Sequence, residues 1–105
     1  MVMNLNLEEA VVSMIANAGD SRSSAIEAIN FAKGGDFSKA RECLAHSEEA
    51  LEKAHKAHTR LLAHESREGL EISLLIVHAA SHLSIAEVSR HFAEEIVSLY
   101  GCIEK

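Results

Sequence analysis

Proline is missing altogether from this chain, and aromatic side chains make up only 4% of it. Without proline the strongest helix breaker is gone. Without aromatics, packing falls to Ala, Leu, Ile and Val, and in a chain that is 48% apolar this is a helical composition. Basic residues are also few: ten Lys and Arg stand against sixteen Asp and Glu, for a formal net charge of −6. That balance argues against nucleic acid or an anionic membrane as a partner, because both demand clustered positive charge. An acidic surface suits basic protein partners instead.

The two cysteines, Cys43 and Cys102, lie far apart and lack a CxxC pattern. Neither a disulfide framework nor a zinc knuckle is expected, and both read as buried free thiols in a reducing compartment. The N-terminal MVMNLNLEEAV has no basic region ahead of an apolar run, so it does not look like a signal peptide. No uncharged apolar run approaches the roughly 20 residues that a membrane span needs. A cytoplasmic protein is expected, with residues 1–105 forming one domain.

What is present is helical periodicity. Leu7, Val11, Met14, Ala18, Ala25 and Ile29 recur at mostly three- and four-residue steps, which predicts a first helix from near Asn6 to Ala32. Asn6 and Glu9 form a candidate capping box, and Gly34-Gly35 supplies the stop. Asp36 is the expected N-cap of a second helix, in which Phe37, Leu44 and Leu51 fall seven apart with Ala40 and Ala54 between them, running to about Ala63. The polar segment His64–Glu71 reads as the second connection. A third helix is expected from about Leu70 to Gly101.

Three such helices with short connections predict an all-α, antiparallel up-down-up three-helix bundle. Between Leu74 and Ala86 the third helix is apolar around most of its circumference, more than one bundle can bury, so a second burial face and self-association follow. Gly19, inside the first helix, is expected to permit close contact with a neighbouring helix or a ligand. Arg22 borders the apolar stripe, either snorkelling to solvent or holding an anion in a cleft.

Chemistry concentrates in the histidines. His78 and His82 are four residues apart and share a face of the third helix with Ser81 on the flank; His55 and His58 are three apart on the second. Four imidazoles from two helices could bind a transition metal such as zinc. A neutral imidazole could instead act as a nucleophile toward a phosphoryl group, since its neutral form predominates near pH 7 and its phosphoramidate can pass the group onward. His82, Ser81 and Arg22 are then the available donors. A core histidine satisfied by a backbone or hydroxyl partner is the bland alternative for His78.

Four ordered segments carry a family resemblance: AGDSRS (18–23), AKGGDFSKA (32–40), AHKAHTRLL (54–62) and SLLIVHAASHL (73–83). The chain resembles the lactose/cellobiose-type enzyme IIA component of the bacterial phosphoenolpyruvate-dependent sugar phosphotransferase system, and the likeness runs through almost all of it. The resemblance implies a homotrimer, a nine-helix bundle, with no cofactor. It makes His78 the phosphorylation site, receiving its group from the phosphocarrier HPr and passing it to a cysteine of a IIB component specific for lactose, cellobiose or chitobiose-like disaccharides. His82, His58, His55, Arg22 and Ser81 would then shape the pocket. The chain also departs from the family, which usually reads HAQDHLM where this sequence reads HAASHLS. A glutamine gives way to Ala80, an aspartate to Ser81 and a methionine to Ser84, while His58 stands where the family's AHxxQT has glutamine. The family's aspartate meets its symmetry mates around an axial metal. Serine lacks the carboxylate a hard cation requires, so a trimer without that metal is expected. Loss of the two polar groups leaves open a regulatory or degenerate relative that binds partners with little phosphotransfer.

Overall fold

The structure, a computed structural model, describes residues 5–69 and 73–103. It consists of three helices: α1 (Leu5–Lys33), α2 (Phe37–Glu68) and α3 (Leu74–Ile103). At 1.5 Å per residue each is about 45 Å long, close to the 56 Å long axis of a molecule only 19 × 16 Å across. The helices therefore lie along that axis, and short connections make each antiparallel to the next.

The first connection is built as its sequence requires. Asp36 N–H donates to Phe31 O at 2.9 Å and Gly35 N–H to Ala32 O at 3.0 Å, the paired bonds of a Schellman ending. Gly35 sits at φ 84°, where a side chain would be strained. Asp36 then caps α2, its carboxylate accepting from Lys39 N–H at 3.1 Å.

Other boundaries differ from expectation. α1 is already helical at Leu5, so Asn6 lies in the first turn rather than at a cap. α2 runs on to Glu68, five residues beyond Ala63. The polar segment His64–Glu68 is a solvent-facing helical turn, tied by His64 Nδ1 to Glu68 Oε2 at 3.2 Å, and the chain breaks helix only at Gly69, φ 78°. The expected start of the third helix at Leu70 lies outside the described residues. Within them α3 begins at Leu74, where Ser73 Oγ accepts from Ile76 N–H at 3.2 Å.

Among the described residues, twelve of the eighteen buried apolar ones are alanines, so the helices are held by close backbone approach more than by large interdigitating side chains. One cluster gathers Val11, Met14, Leu51, Leu61 and Leu83 around such alanines, and a second, at the other end, gathers Ala28, Ala32, Ala40 and Val97 beneath Phe31, Phe37 and Tyr100. Between them Ser21 and Ser47, both fully buried, satisfy each other: their hydroxyls are 3.0 Å apart and Ser47 Oγ donates to Ser21 O at 2.7 Å. Gly19 does not serve close packing in the protomer, since a Cβ there would meet nothing within 4 Å. Cys43 is half-buried, and Cys102 is exposed rather than buried.

The outer face of α3 carries an apolar stripe interrupted by Ser81 and Glu95. Leu74, Val77, Ile85, Val88, Phe92, Leu99 and Ile103 are all exposed, Phe92 by 59% and Leu74 by 89%. Spaced three, four, seven or eight residues apart, they make one stripe, opposite the buried line of Ala79, Leu83, Ala86, Ala93 and Val97.

Candidate functional site

His78 and His82 stand one turn apart near the start of α3, and the helix alone brings them together. Their Nε2 atoms are 3.0 Å apart and the rings meet edge to face, with centroids 4.4 Å apart and planes at 87°. A hydrogen bond between two imidazole nitrogens requires a proton on one and a lone pair on the other. In the neutral pair, one ring is thereby fixed as donor and its neighbour as acceptor. His78 is exposed and His82 half-buried, so His82 is the better anchored of the two. Neither is a core histidine with a backbone or hydroxyl partner.

His78 borders the apolar stripe. Leu74, Leu75, Val77 and Ser81 line a shallow depression with it, and a second groove on the far side of Val77 is lined by Glu65, Ile76, Ala80, Ser84 and Ile85. Ser81 is exposed and close by, but its hydroxyl donates to Val77 O at 3.0 Å. This back-bond to the preceding turn occupies its one proton.

The remaining expected site residues are elsewhere. His55 Nε2 lies 2.9 Å from Glu87 Oε1. Glu87 is nine residues beyond His78, which puts the His55 pair about 13 Å along the bundle from that ring. Glu87 carries no sequence signal of its own; only the packing of α2 on α3 reveals it. His58, one turn nearer, is half-buried and bonds to no described residue. Arg22 is exposed on α1 next to Ser21, which meets Ser47, while Glu48 meets Arg90 Nε at 2.8 Å. Arg22 thus stands level with Arg90, about 18 Å from His78 along the axis, and is not a pocket residue in the protomer. Among the described residues no three His, Cys, Asp or Glu side chains gather to hold a metal ion, so the four imidazoles do not converge within one chain.

Away from this end the polar pairs brace helices. Asp20 Oδ2 meets His46 Nε2 at 2.9 Å, and Arg90 joins Glu94 at 3.0 Å as well as Glu48. The Cys43 thiol is pushed above its ordinary value, chiefly by burial and further by the carboxylates of Glu27 and Glu42. The shift favours its protonated form.

Residues 9–101 match the family described as the lactose/cellobiose-specific IIA subunit of the phosphotransferase system (PTS). The chain belongs to that IIA family. It is 42% identical over 99 residues to the lichenan-specific phosphotransferase enzyme IIA component of Bacillus subtilis strain 168, covering 93% of this chain and 90% of the relative. The crystal structure of the PTS cellobiose-specific enzyme IIA of Bacillus anthracis superposes with a TM-score of 0.91 at 38% identity, over 98% of this chain and 94% of that one. A IIA(chitobiose) chain of Escherichia coli, solved in solution as a complex with HPr, gives a TM-score of 0.83 at 36% identity, over 94% and 97% of the two chains. The protein is thus a sugar-specific IIA component whose general chemistry is phosphoryl transfer. Among the described residues no helix is long and apolar enough to cross a membrane.

Proposed function

We propose that this IIA component is a phosphohistidine carrier in bacterial sugar uptake, with His78 as the acceptor. The observation that carries this reading is the Nε2 to Nε2 contact of 3.0 Å between an exposed His78 and a better-buried His82. With the proton on His82, the His78 Nε2 lone pair accepts it, so an incoming phosphoryl group must displace that hydrogen bond to reach the nitrogen. As His82 N–H turns from that nitrogen to a phosphoryl oxygen, the freed lone pair of His78 Nε2 bonds to phosphorus and the bond to the donor breaks. Alignment and charge stabilisation are most of what phosphoryl transfer asks of a protein. The donor is HPr, supported by a similar IIA chain solved with HPr. The acceptor is a cysteine of a IIB component serving lactose, cellobiose or chitobiose-like disaccharides. A cytoplasmic location goes with both partners.

The functional unit is a homotrimer closed through the α3 stripe. Seven exposed apolar side chains on the α3 stripe, at roughly 100 Å² each, offer about 700 Å², close to the share one partner brings to a standard interface. Ser81 lies on this stripe without a carboxylate, its hydroxyl turned to its own helix, so the residues present do not fit an axial metal.

The measurement is transfer from phosphoenolpyruvate through enzyme I and HPr, which adds one acid-labile phosphate per chain. Label accepted equally by His78→Ala would overturn the assignment. Ala80 provides no polar group and the Ser81 hydroxyl is committed to Val77, which favours one second reading, a relative that binds HPr but transfers poorly. HPr binding with no label reaching any IIB would support that reading instead.

A further inference from the structure

The imidazoles of His78 and His82 do not point straight at one another. Their Nε2 atoms are 3.0 Å apart and their centroids 4.4 Å. Head-on rings would hold the centroids further apart than the nitrogens by a full ring diameter, and the observed excess of 1.4 Å is well short of that. Both rings rise from one face of α3, a turn apart. Their axes therefore bend toward a common point outside the pair, and the contact is exposed.

We infer that His78 and His82 form a bidentate site for a divalent late transition metal, copper, nickel or zinc, and that an ion held there blocks phosphoryl acceptance. The second half rests on His78 being the acceptor, as proposed above. With nitrogen–metal bonds of about 2.1 Å, nitrogens 3.0 Å apart subtend roughly 90° at the ion. That is the cis angle of a square-planar or octahedral centre. A tetrahedral ion would hold the same nitrogens about 3.4 Å apart, so copper(II) and nickel(II) fit the pair ahead of zinc. Imidazole ligands with no carboxylate give magnesium and calcium nothing to prefer.

Chelation needs two lone pairs where the hydrogen-bonded pair offers one. A neutral histidine carries its single ring proton on either nitrogen, so the proton on His82 Nε2 passes through solvent to Nδ1 of the same ring. The two freed Nε2 atoms then replace two waters of the hydrated ion. Among the described residues no further His, Cys, Asp or Glu completes a set of three, and His55 is held by Glu87. Water therefore keeps the other coordination positions, and a chelator can remove the ion. While it stays, the ion occupies the lone pair that phosphorus must reach, and the His82 N–H that would turn to a phosphoryl oxygen is gone.

The test uses nickel chloride and the full chain. Equilibrium dialysis should find one nickel ion per chain, bound at least about tenfold more weakly by His78→Ala and by His82→Ala, because losing either ring loses the chelate. Both variants should keep wild-type helicity in circular dichroism, and His91→Ala, which removes an exposed imidazole outside the pair, should bind as wild type does. With radiolabelled phospho-HPr, freed of enzyme I, as donor, the nickel-loaded chain should take up phosphate at least about tenfold more slowly than the metal-free chain, and a chelator should restore the rate. Equal nickel binding by wild type, His78→Ala and His82→Ala would overturn the site. Unchanged uptake at saturating nickel, with the histidine-dependent binding intact, would instead overturn the block and the assignment of His78 as acceptor, leaving the metal site standing.

Discussion

α2 and α3 are nearly equal in length, 32 and 30 residues, and each buries one stripe of mostly small residues, yet their outer faces are opposites. α2 shows solvent Glu48, Glu49, Glu52, Lys53, Lys56 and Arg60; α3 shows it Ile85, Val88, Phe92 and Leu99. A helix that is polar outside is finished when the bundle closes. One that is apolar on both sides is not. The same helix also carries the His78–His82 pair, so on α3 the proposed phosphoryl acceptor borders the unpartnered apolar face.

Replacing Phe92 with glutamate strikes the unfinished face directly. Phe92→Glu should convert the assembled species to a monomer of unchanged helicity, raising the dissociation constant on the order of a hundredfold or more, while Lys53→Glu on the finished face of α2 should leave mass unchanged in light scattering. A monomeric Lys53→Glu, or an assembled Phe92→Glu, would erase the contrast. The buried side of α2 should respond in the complementary way. Leu61, 3% exposed, should cost about 2–5 kcal/mol of stability in denaturant titration when cut to alanine, a loss that persists when Phe92→Glu has already removed any assembly.

The smallest effect concerns the two thiols. Cys102 is exposed and Cys43 half-buried, and the raised pKa of Cys43 lowers its thiolate fraction at any pH below that value. Alkylation monitored by mass should label Cys102 first at neutral pH, with Cys43 catching up as pH rises. Equal rates at neutral pH would mean that the environment of Cys43 does not protect it.

Most of the architecture was legible because its signals are local and periodic. The Gly34-Gly35-Asp36 junction states both the end of one helix and the start of the next, and the excess apolar surface of α3 can be counted without coordinates. The misreadings of side-chain partners share one cause, that a periodic pattern says which face a residue is on but nothing of its height or partner. His55 and His58 read as partners of His78 because they lie on the facing helix, but His55 belongs to Glu87. Arg22 is on a plausible face at the wrong height. The segment from His64 to Glu68 looked like a loop because it is polar, yet polarity alone does not break a helix, and only Gly69 does. The His78–His82 pair was legible because four residues on one helix fix the distance without help from tertiary structure.

A core made mainly of alanine has a weakness: one alanine fits opposite another about as well as the next, so helices could slide past each other by a turn with little loss of contact. The Ser21–Ser47 pair removes that freedom. Sliding α1 along α2 would leave two hydroxyls buried without partners, at about 1–3 kcal/mol apiece, and would separate Asp20 from His46 as well. Two small polar groups thereby act as a registration mark, fixing the alignment of helices whose packing alone would accept several.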